Sequence, residues 1–491
     1  MTVFFLSFHF KENAKGGNIA LTFTNPIMEK GADPWMYYKD GYYYYTHTTG
    51  NNITIWKSKS MTNIGAGEFS VVWTPPHDRP YSFNIWAPHF HFLNGKWYIY
   101  FAAGPNYGDF SHQRIWVLES KTEDALGDYV MKGQIKDASD KWAIDGTVIQ
   151  YDGRMYFAWS GWEGDVNIAQ SIYIAPMSNP WTISGNRVLL SKPEYIWEKR
   201  GGPPYINEGT RVMYRNDKIH IIYSASGSWT DYYCLGRLTF SGGDILDPKA
   251  WVKSKEPVFE SSNNVFGPGH ASFVKSPDGT EDWIIYHAAR FSGSGWDRNV
   301  RAQRFIWNDD DTPYFGEPFS EGIPIELPSG ELALFEDINR IQEDKIYKIM
   351  SRKDDLALEL KKEDSHISLM TTKWENQKSQ MWKISALENG LVSITSVEYG
   401  SVMTLRNDKY EKNEKESETN QLYDITFETY QGSNEQKWGL VFNPSGYVRI
   451  VSASTGEKLY VATKGSDIGY PVTLQPNRHL KSDMWKFIEV K

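Results

Sequence analysis

Two internal repeats predict an all-β chain, a five-bladed β-propeller followed by a β-trefoil. The first repeat is fivefold: between Asp33 and Ala288, a short apolar run, a tight turn and an aromatic-rich strand recur five times. The second is threefold: from Lys345 onward, stretches of roughly 45–55 residues each close on Gln-x-Trp or Asp-x-Trp.

The fivefold turns and strands read Lys39-Asp40-Gly41 into YYYYTHT, Asn94-Gly95 into KWYIYFA, and Asp152-Gly153 into RMYFAWS. The last two read Asn216-Asp217 into KIHIIYSA and Asp278-Gly279 into TEDWIIYHA. Asn-Gly and Asp-Gly mark hairpins because both central residues of a type I′ turn need positive φ. A third strand follows each hairpin: NITIWKS, QRIWVLES, QSIYIAP, YYCLGRLTF and VRAQRFIW. Then comes a fourth, in FSVVW, YVMKG, RVLL, WVKS and a weak PYFG. Four short strands recurring at roughly 55–65 residues are the signature of propeller blades, here over residues 25–325. A large β-sandwich would leave the repeat accidental.

Carboxylates fall at matched places in three copies. Asp33 lies seven residues before Asp40, Asp145 seven before Asp152, and Glu208 eight before Asn216. Blades arranged round an axis would bring all three acids onto it. Each is followed by Pro or Gly, in GADPW, AIDGT and NEGT, which suits a bend close to a ligand. A single Asp before a strand is more often a turn or capping residue. Three in one register are not explained that way. Hydrolysis of a glycosidic bond needs one carboxylic acid to protonate the leaving oxygen and one carboxylate to act at the anomeric centre or on its water.

Composition narrows the partners. Net charge is −9 and there is no basic cluster, which argues against nucleic acid or an anionic membrane. The aromatic share of 15%, with 20 Trp and 30 Tyr, suits sugar stacking, although most of these rings are expected to fill blade cores. Cys234 stands alone, so no intrachain disulfide forms, and it reads as a buried inert thiol. The apolar VFFLSFHF near the start is too short to span a membrane and lacks a basic flank and cleavage site. It reads as the remnant of a trimmed signal or as a strand, within an N-terminal extension over 1–24.

With GADPW, WAP at 86–88, AIDGT, INEG, GPGH and RAQRFIWN in view, the region 25–325 resembles glycoside hydrolase family 43, most closely its exo-acting arabinofuranosidase branches. The resemblance implies an inverting exo-glycosidase that releases terminal α-L-arabinofuranosyl units from arabinan or arabinose-decorated plant polysaccharide. Asp33 would be the general base and Glu208 the general acid, with Asp145 orienting Glu208 and raising its pKa. Arg301 resembles an arginine that reaches a sugar hydroxyl or the base, with Arg298 and Arg304 as competitors for that role. Trp86 is the expected ring-contacting aromatic, and Trp159 and Trp162 are either further substrate contacts or blade packing. His270 in GPGH matches a histidine that in many members helps hold a hydrated calcium ion in the channel. No organic cofactor is implied, a monomer is expected, and an extracellular or periplasmic site is favoured. The chain departs from the family at WAPH, where His89 replaces a common acid, and at Thr210 after NEG. The alternatives on the same scaffold are a β-D-xylosidase or an endo-arabinanase; outside catalysis, the alternative is a sugar-binding protein without activity.

Residues 326–344 are charged and read as a linker. Beyond it, over 345–491, QMWKI, QKWGLV and DMWKFIEV place Trp382, Trp438 and Trp485 in a shared trefoil core, with KYEKNEKESETNQ an exposed loop. This part resembles the ricin-type lectin trefoil, or carbohydrate-binding module family 13. Glu359, Thr404 and Tyr460 stand where functional copies carry a sugar-binding Asp, so a lectin and a purely structural trefoil both remain open.

Overall fold

The computed structural model of the protein describes residues 17–106, 108–335, 340–343, 345–363, 366–406, 424–462, 469–475 and 481–491. The apolar stretch 3–10 and the polar loop 409–421 lie outside the described residues. Among the described residues, regular structure is all β apart from short 3-10 turns, and no helix is long and apolar enough to cross a membrane. The chain divides into two compact units.

The first unit spans Asn25–Glu321 with Pro328–Leu334. It contains five separate antiparallel sheets, each in simple up-and-down order. Their inner strands are Trp35–Lys39, Phe83–Leu93, Ala143–Tyr151, Asn207–Arg215 and Phe266–Lys275. The first three hairpins turn as their sequences demand: Asp40 and Gly41, Asn94 and Gly95, and Asp152 and Gly153 all have positive φ. In the fourth only Asn216 does, and the fifth needs a longer turn between Lys275 and Asp282, held by Ser276 and Asp278. Blade three carries two short strands, Thr182–Ile183 and Val188–Ser191, at its outer edge.

The repeat has a further regularity near the start of each inner strand. Asp33, Ala87, Asp145, Gly209 and His270 all take positive φ, between 44° and 63°. In blades two to five the ladder register shifts at this point, so each is a bulge that turns the backbone out of the sheet. The freed N–H groups are used across blades. Ala87 N donates to Thr48 Oγ1 at 2.7 Å, Gly209 N to Asp145 Oδ2 at 2.7 Å, and His270 N to Ser224 Oγ at 2.8 Å. Asp33 N closes the ring by donating to His287 Nδ1 at 2.9 Å. In each case the acceptor belongs to the preceding blade, counted cyclically. The bulges therefore tie the blades together and aim five residues at the axis.

Most aromatic residues do fill the spaces between blades. Tyr44 packs on Trp97, Tyr100 on Phe157, and Tyr151 on Phe240, with centroids 5.0–5.3 Å apart. Cys234 is buried in one such layer.

Residues 326–344 do not form one solvated linker. Pro328–Leu334 packs with the propeller, where the fully buried Glu331 accepts hydrogen bonds from Ser60 Oγ, Met61 N and Thr62 Oγ1. Ser329 meanwhile bonds Asp278 and Glu281 of blade five. The charges that suggested a solvated linker are partly spent inside, joining blade five to blade one.

The second unit includes Thr22–Thr24, which pairs antiparallel with Pro324–Glu326, so the end of the expected N-terminal extension is a strand of this unit. Its body is three runs of four strands starting at Ile346, Leu391 and Val448. Trp382, Trp438 and Trp485 are fully buried, and their indole N–H groups donate to Leu358, Met403 and Leu459 carbonyls at 2.9–3.1 Å. Three equivalent bonds at three equivalent positions are the expected trefoil core. Gln380 and Gln436 each clamp a local loop through both ends of the amide. Asp483, in the third copy, instead pairs with Arg449 at 3.2 Å.

Candidate active site

A pocket of about 830 Å³ opens at the propeller axis. Asp33, Asp145 and Glu208 all line it, with Thr48, Trp86, Phe110, Trp142, Trp162, His270 and Arg298. The bulges explain the convergence. Asp33 and Asp145 occupy the bulge positions of blades one and three, and Glu208 immediately precedes Gly209 in blade four. Glycine suits 209 because a Cβ there would lie 2.9 Å from Ser224 Oγ, in a backbone conformation (φ 63°) that is strained for most side chains.

The three carboxyls sit in different environments. Burial opposes charge on Asp33, but His270, Arg298, the Thr48 hydroxyl and Arg211 together hold its pKa below the ordinary value. Thr48 Oγ1 donates to Asp33 Oδ2 at 2.6 Å, and Arg298 Nη1 lies 3.5 Å from Oδ1. Glu208 is pushed the other way, up to about 8, by burial and then by the charge of Asp145. The Tyr233 hydroxyl donates to Glu208 Oε1 at 2.8 Å. Asp145 is itself raised to about 7 by burial, partly offset by Arg211, and its Oδ2 accepts from Gly209 N. One carboxylate kept ionised beside one carboxylic acid kept protonated near neutrality is the division that acid–base hydrolysis requires.

Arg211, 1% exposed, is buried against His270, which lines the pocket. Its Nη2 contacts His270 Nε2 at 2.7 Å, its Nη1 donates to the Thr210 carbonyl, and its guanidinium lies 5.1 Å from the Trp35 ring. Because Nε2 of His270 faces a donor, the proton sits on Nδ1, which lies 3.2 Å from Asp33 Oδ1. Burial pushes the pKa of His270 down to about 3, so the ring is neutral at pH 7.

This arrangement does not fit the calcium expected at His270. Both ring nitrogens face protein partners, and one of them is a guanidinium that carries the positive charge a cation would bring.

Two substrate-contact expectations are corrected. Arg301 does not reach the pocket: it is 2% exposed, and bonds Asn299, the Phe319 carbonyl and Glu321. The third strand of blade five begins at the pocket face, so Arg298 is at the site and Arg301 is about 10 Å further along. Trp159 is buried in the layer of Phe157 and Tyr173, whereas Trp162, just past the strand end, stacks on Trp142 at 4.8 Å and lines the pocket. Trp86 lies at the pocket as expected, edge-on to Phe110.

His89 and Thr210 do not line the pocket. His89 is fully buried among Trp35, His91 and Tyr100, and Thr210 donates to the Asp145 carbonyl at 2.5 Å. Thr48, Tyr233 and Arg211 were missed in the sequence. Arg211, lying three residues after Glu208 and beyond the bulge, carried no motif signal.

A propeller whose axial pocket pairs an ionised base with a protonated acid is the architecture of a glycoside hydrolase. The chain belongs to glycosyl hydrolases family 43, whose family model matches residues 23–313, and residues 378–475 match the ricin-type beta-trefoil lectin domain-like model. An extracellular exo-alpha-(1->5)-L-arabinofuranosidase of Streptomyces avermitilis is 37% identical over 324 residues, 63% of this chain and 66% of that protein. The enzyme of the same name from Streptomyces chartreusis is 36% identical over 276 residues, 55% of this chain and 83% of that protein. Among solved structures, an alpha-L-arabinofuranosidase from Lactobacillus brevis superposes with a TM-score of 0.57 at 35% identity, covering 61% of this chain and 98% of that one. The chain thus spans just under two thirds of the Streptomyces avermitilis protein.

Proposed function

We propose that the protein is an inverting, exo-acting α-L-arabinofuranosidase. The observation that carries the reading is the convergence of Asp33, Asp145 and Glu208 on one axial pocket, with Asp33 held by Thr48 and Arg298 and Glu208 buried against Tyr233. Asp33, ionised and steadied by Thr48 and Arg298, takes a proton from a water as that water attacks the anomeric carbon. Glu208 delivers its proton to the leaving oxygen as the glycosidic bond breaks. Asp145 keeps Glu208 protonated between turnovers. The names of the Streptomyces and Lactobacillus relatives support arabinofuranosyl as the sugar removed, and the Streptomyces names support action outside the cell. The enzyme works as a monomer, and Arg211 serves in place of a channel cation.

Asp33→Ala and Glu208→Gln should each lower turnover of an arabinofuranoside by about 10³-fold while leaving the melting temperature near wild type. Wild-type-like turnover in either variant contradicts the reading. Faster hydrolysis of 4-nitrophenyl β-D-xylopyranoside than of the arabinofuranoside would reassign the sugar.

A further inference from the structure

We infer that Trp296 and Trp229 form a stacking platform for the sugar on the leaving-group side of the scissile bond. The inference rests on the arabinofuranosidase reading and extends it to the recognition of an uncharged oligosaccharide aglycone.

Both tryptophans line the pocket, yet neither contributes to the blade cores. They lie on two loops that leave the pocket face after the second strands of blades four and five. Trp296 is 62% exposed, with its ring open to solvent at the pocket. The ring is nonetheless held in place. Its Nε1 donates to Ser228 Oγ at 3.2 Å, and it meets Trp229 edge-to-face with centroids 6.3 Å apart. The loops are locked to each other by Asp231, whose carboxylate accepts from Ser292 Oγ at 2.5 Å and Gly293 N at 2.9 Å. Arg298 adds a bond to the Ser228 carbonyl. Gly227 leaves room for the Trp229 ring, since a Cβ there would lie 2.9 Å from it. A fixed, solvent-facing indole beside a catalytic pocket offers a flat apolar face without an ordering penalty, which suits the C–H face of a sugar ring.

Its side of the pocket identifies which sugar it meets. The loop bearing Trp229 also bears Tyr233, whose hydroxyl touches the acid Glu208. Glu208 pairs across the hairpin with Ser224, just before that loop. The acid faces the leaving oxygen, so the rings beside it flank the departing sugar. Trp86, Phe110, Trp142 and Trp162 stand on blades two and three instead.

The test compares α-1,5-arabinobiose with α-L-arabinofuranosyl fluoride, whose leaving group is one atom and cannot stack. For Trp296→Ala, the ratio of kcat/KM on arabinobiose to kcat/KM on the fluoride should fall about tenfold, the equivalent of one stacking contact. Trp296→Phe should restore most of that ratio. Turnover of the fluoride shows in the same experiment that the variant is folded. An unchanged ratio, whether both rates fall together or neither moves, overturns the inference. A wild-type protein that hydrolyses neither substrate would overturn the arabinofuranosidase reading itself, and the platform with it.

Discussion

Glu208 is a buried carboxyl whose pKa is raised first by its burial and then by the charge of Asp145, and the two together set the alkaline limit of the enzyme. Glu208 has its pKa raised to about 8, so kcat/KM should fall as pH rises through that region and the acid loses its proton. The sign for Asp145→Asn follows directly. Removing a neighbouring negative charge makes ionised Glu208 less costly, so the alkaline limb should move to lower pH. A pH profile whose alkaline limb stays put or moves up would show that burial alone tunes the acid. At this scale the sequence was informative where an acid keeps a fixed distance from the hairpin turn, because that turn fixes its place in the blade: Asp33 and Asp145 lie seven residues before theirs, and Glu208 eight before Asn216. Arg298 and Arg301 were not separable, because which end of a third strand faces the pocket depends on the chain direction within the blade. Trp159 and Trp162 differ in the same way: one is inside a strand and the other is one step past its end.

Among the elements, the five bulges do more than position acids. Four of the five positions, all but Asp145, pass a backbone N–H to an imidazole, hydroxyl or carboxylate of the preceding blade, which ties those blades together at the axis. At the rim the strap around Glu331 makes a second tie between blades five and one. Glu331→Ala would leave the donors of Ser60, Met61 and Thr62 without their shared acceptor. It should cost about 2–4 kcal/mol and lower the propeller's melting transition in calorimetry. A loss below about 0.5 kcal/mol would show that the strap does not close the ring. The strap was misread as linker because Glu331 is charged, and nothing in the neighbouring sequence reveals the three donors that wait for it. The hairpins were legible for the opposite reason: Asn-Gly and Asp-Gly encode their own backbone geometry.

For the whole molecule, the fivefold and threefold repeats were sufficient to read the architecture, since each unit must stack on its neighbours to bury its aromatic face. What repeats cannot carry is chemistry that differs between copies. The trefoil shows this, since Glu359 is spent on Thr372 and Ser379, Thr404 bonds Gln436, and Tyr460 is buried. The surroundings of His270 show it again, where Arg211 contacts its ring. With Arg211 in the channel, prolonged dialysis against EDTA should leave both melting temperature and activity unchanged. Arg211→Met should cost about 3 kcal/mol or more, because Asp33 and Asp145 would lose a buried counter-charge. A melting temperature that drops on chelation and recovers with calcium would show that the channel holds a metal after all. The central claim is that Asp33 activates water on the face opposite the leaving group. Proton NMR of the sugar first released from linear α-1,5-arabinan tests it most directly. The account predicts β-L-arabinose alone in the first minutes, before mutarotation, with no intermediate oligosaccharides. Initial release of the α anomer, or a ladder of oligosaccharide products, would contradict it.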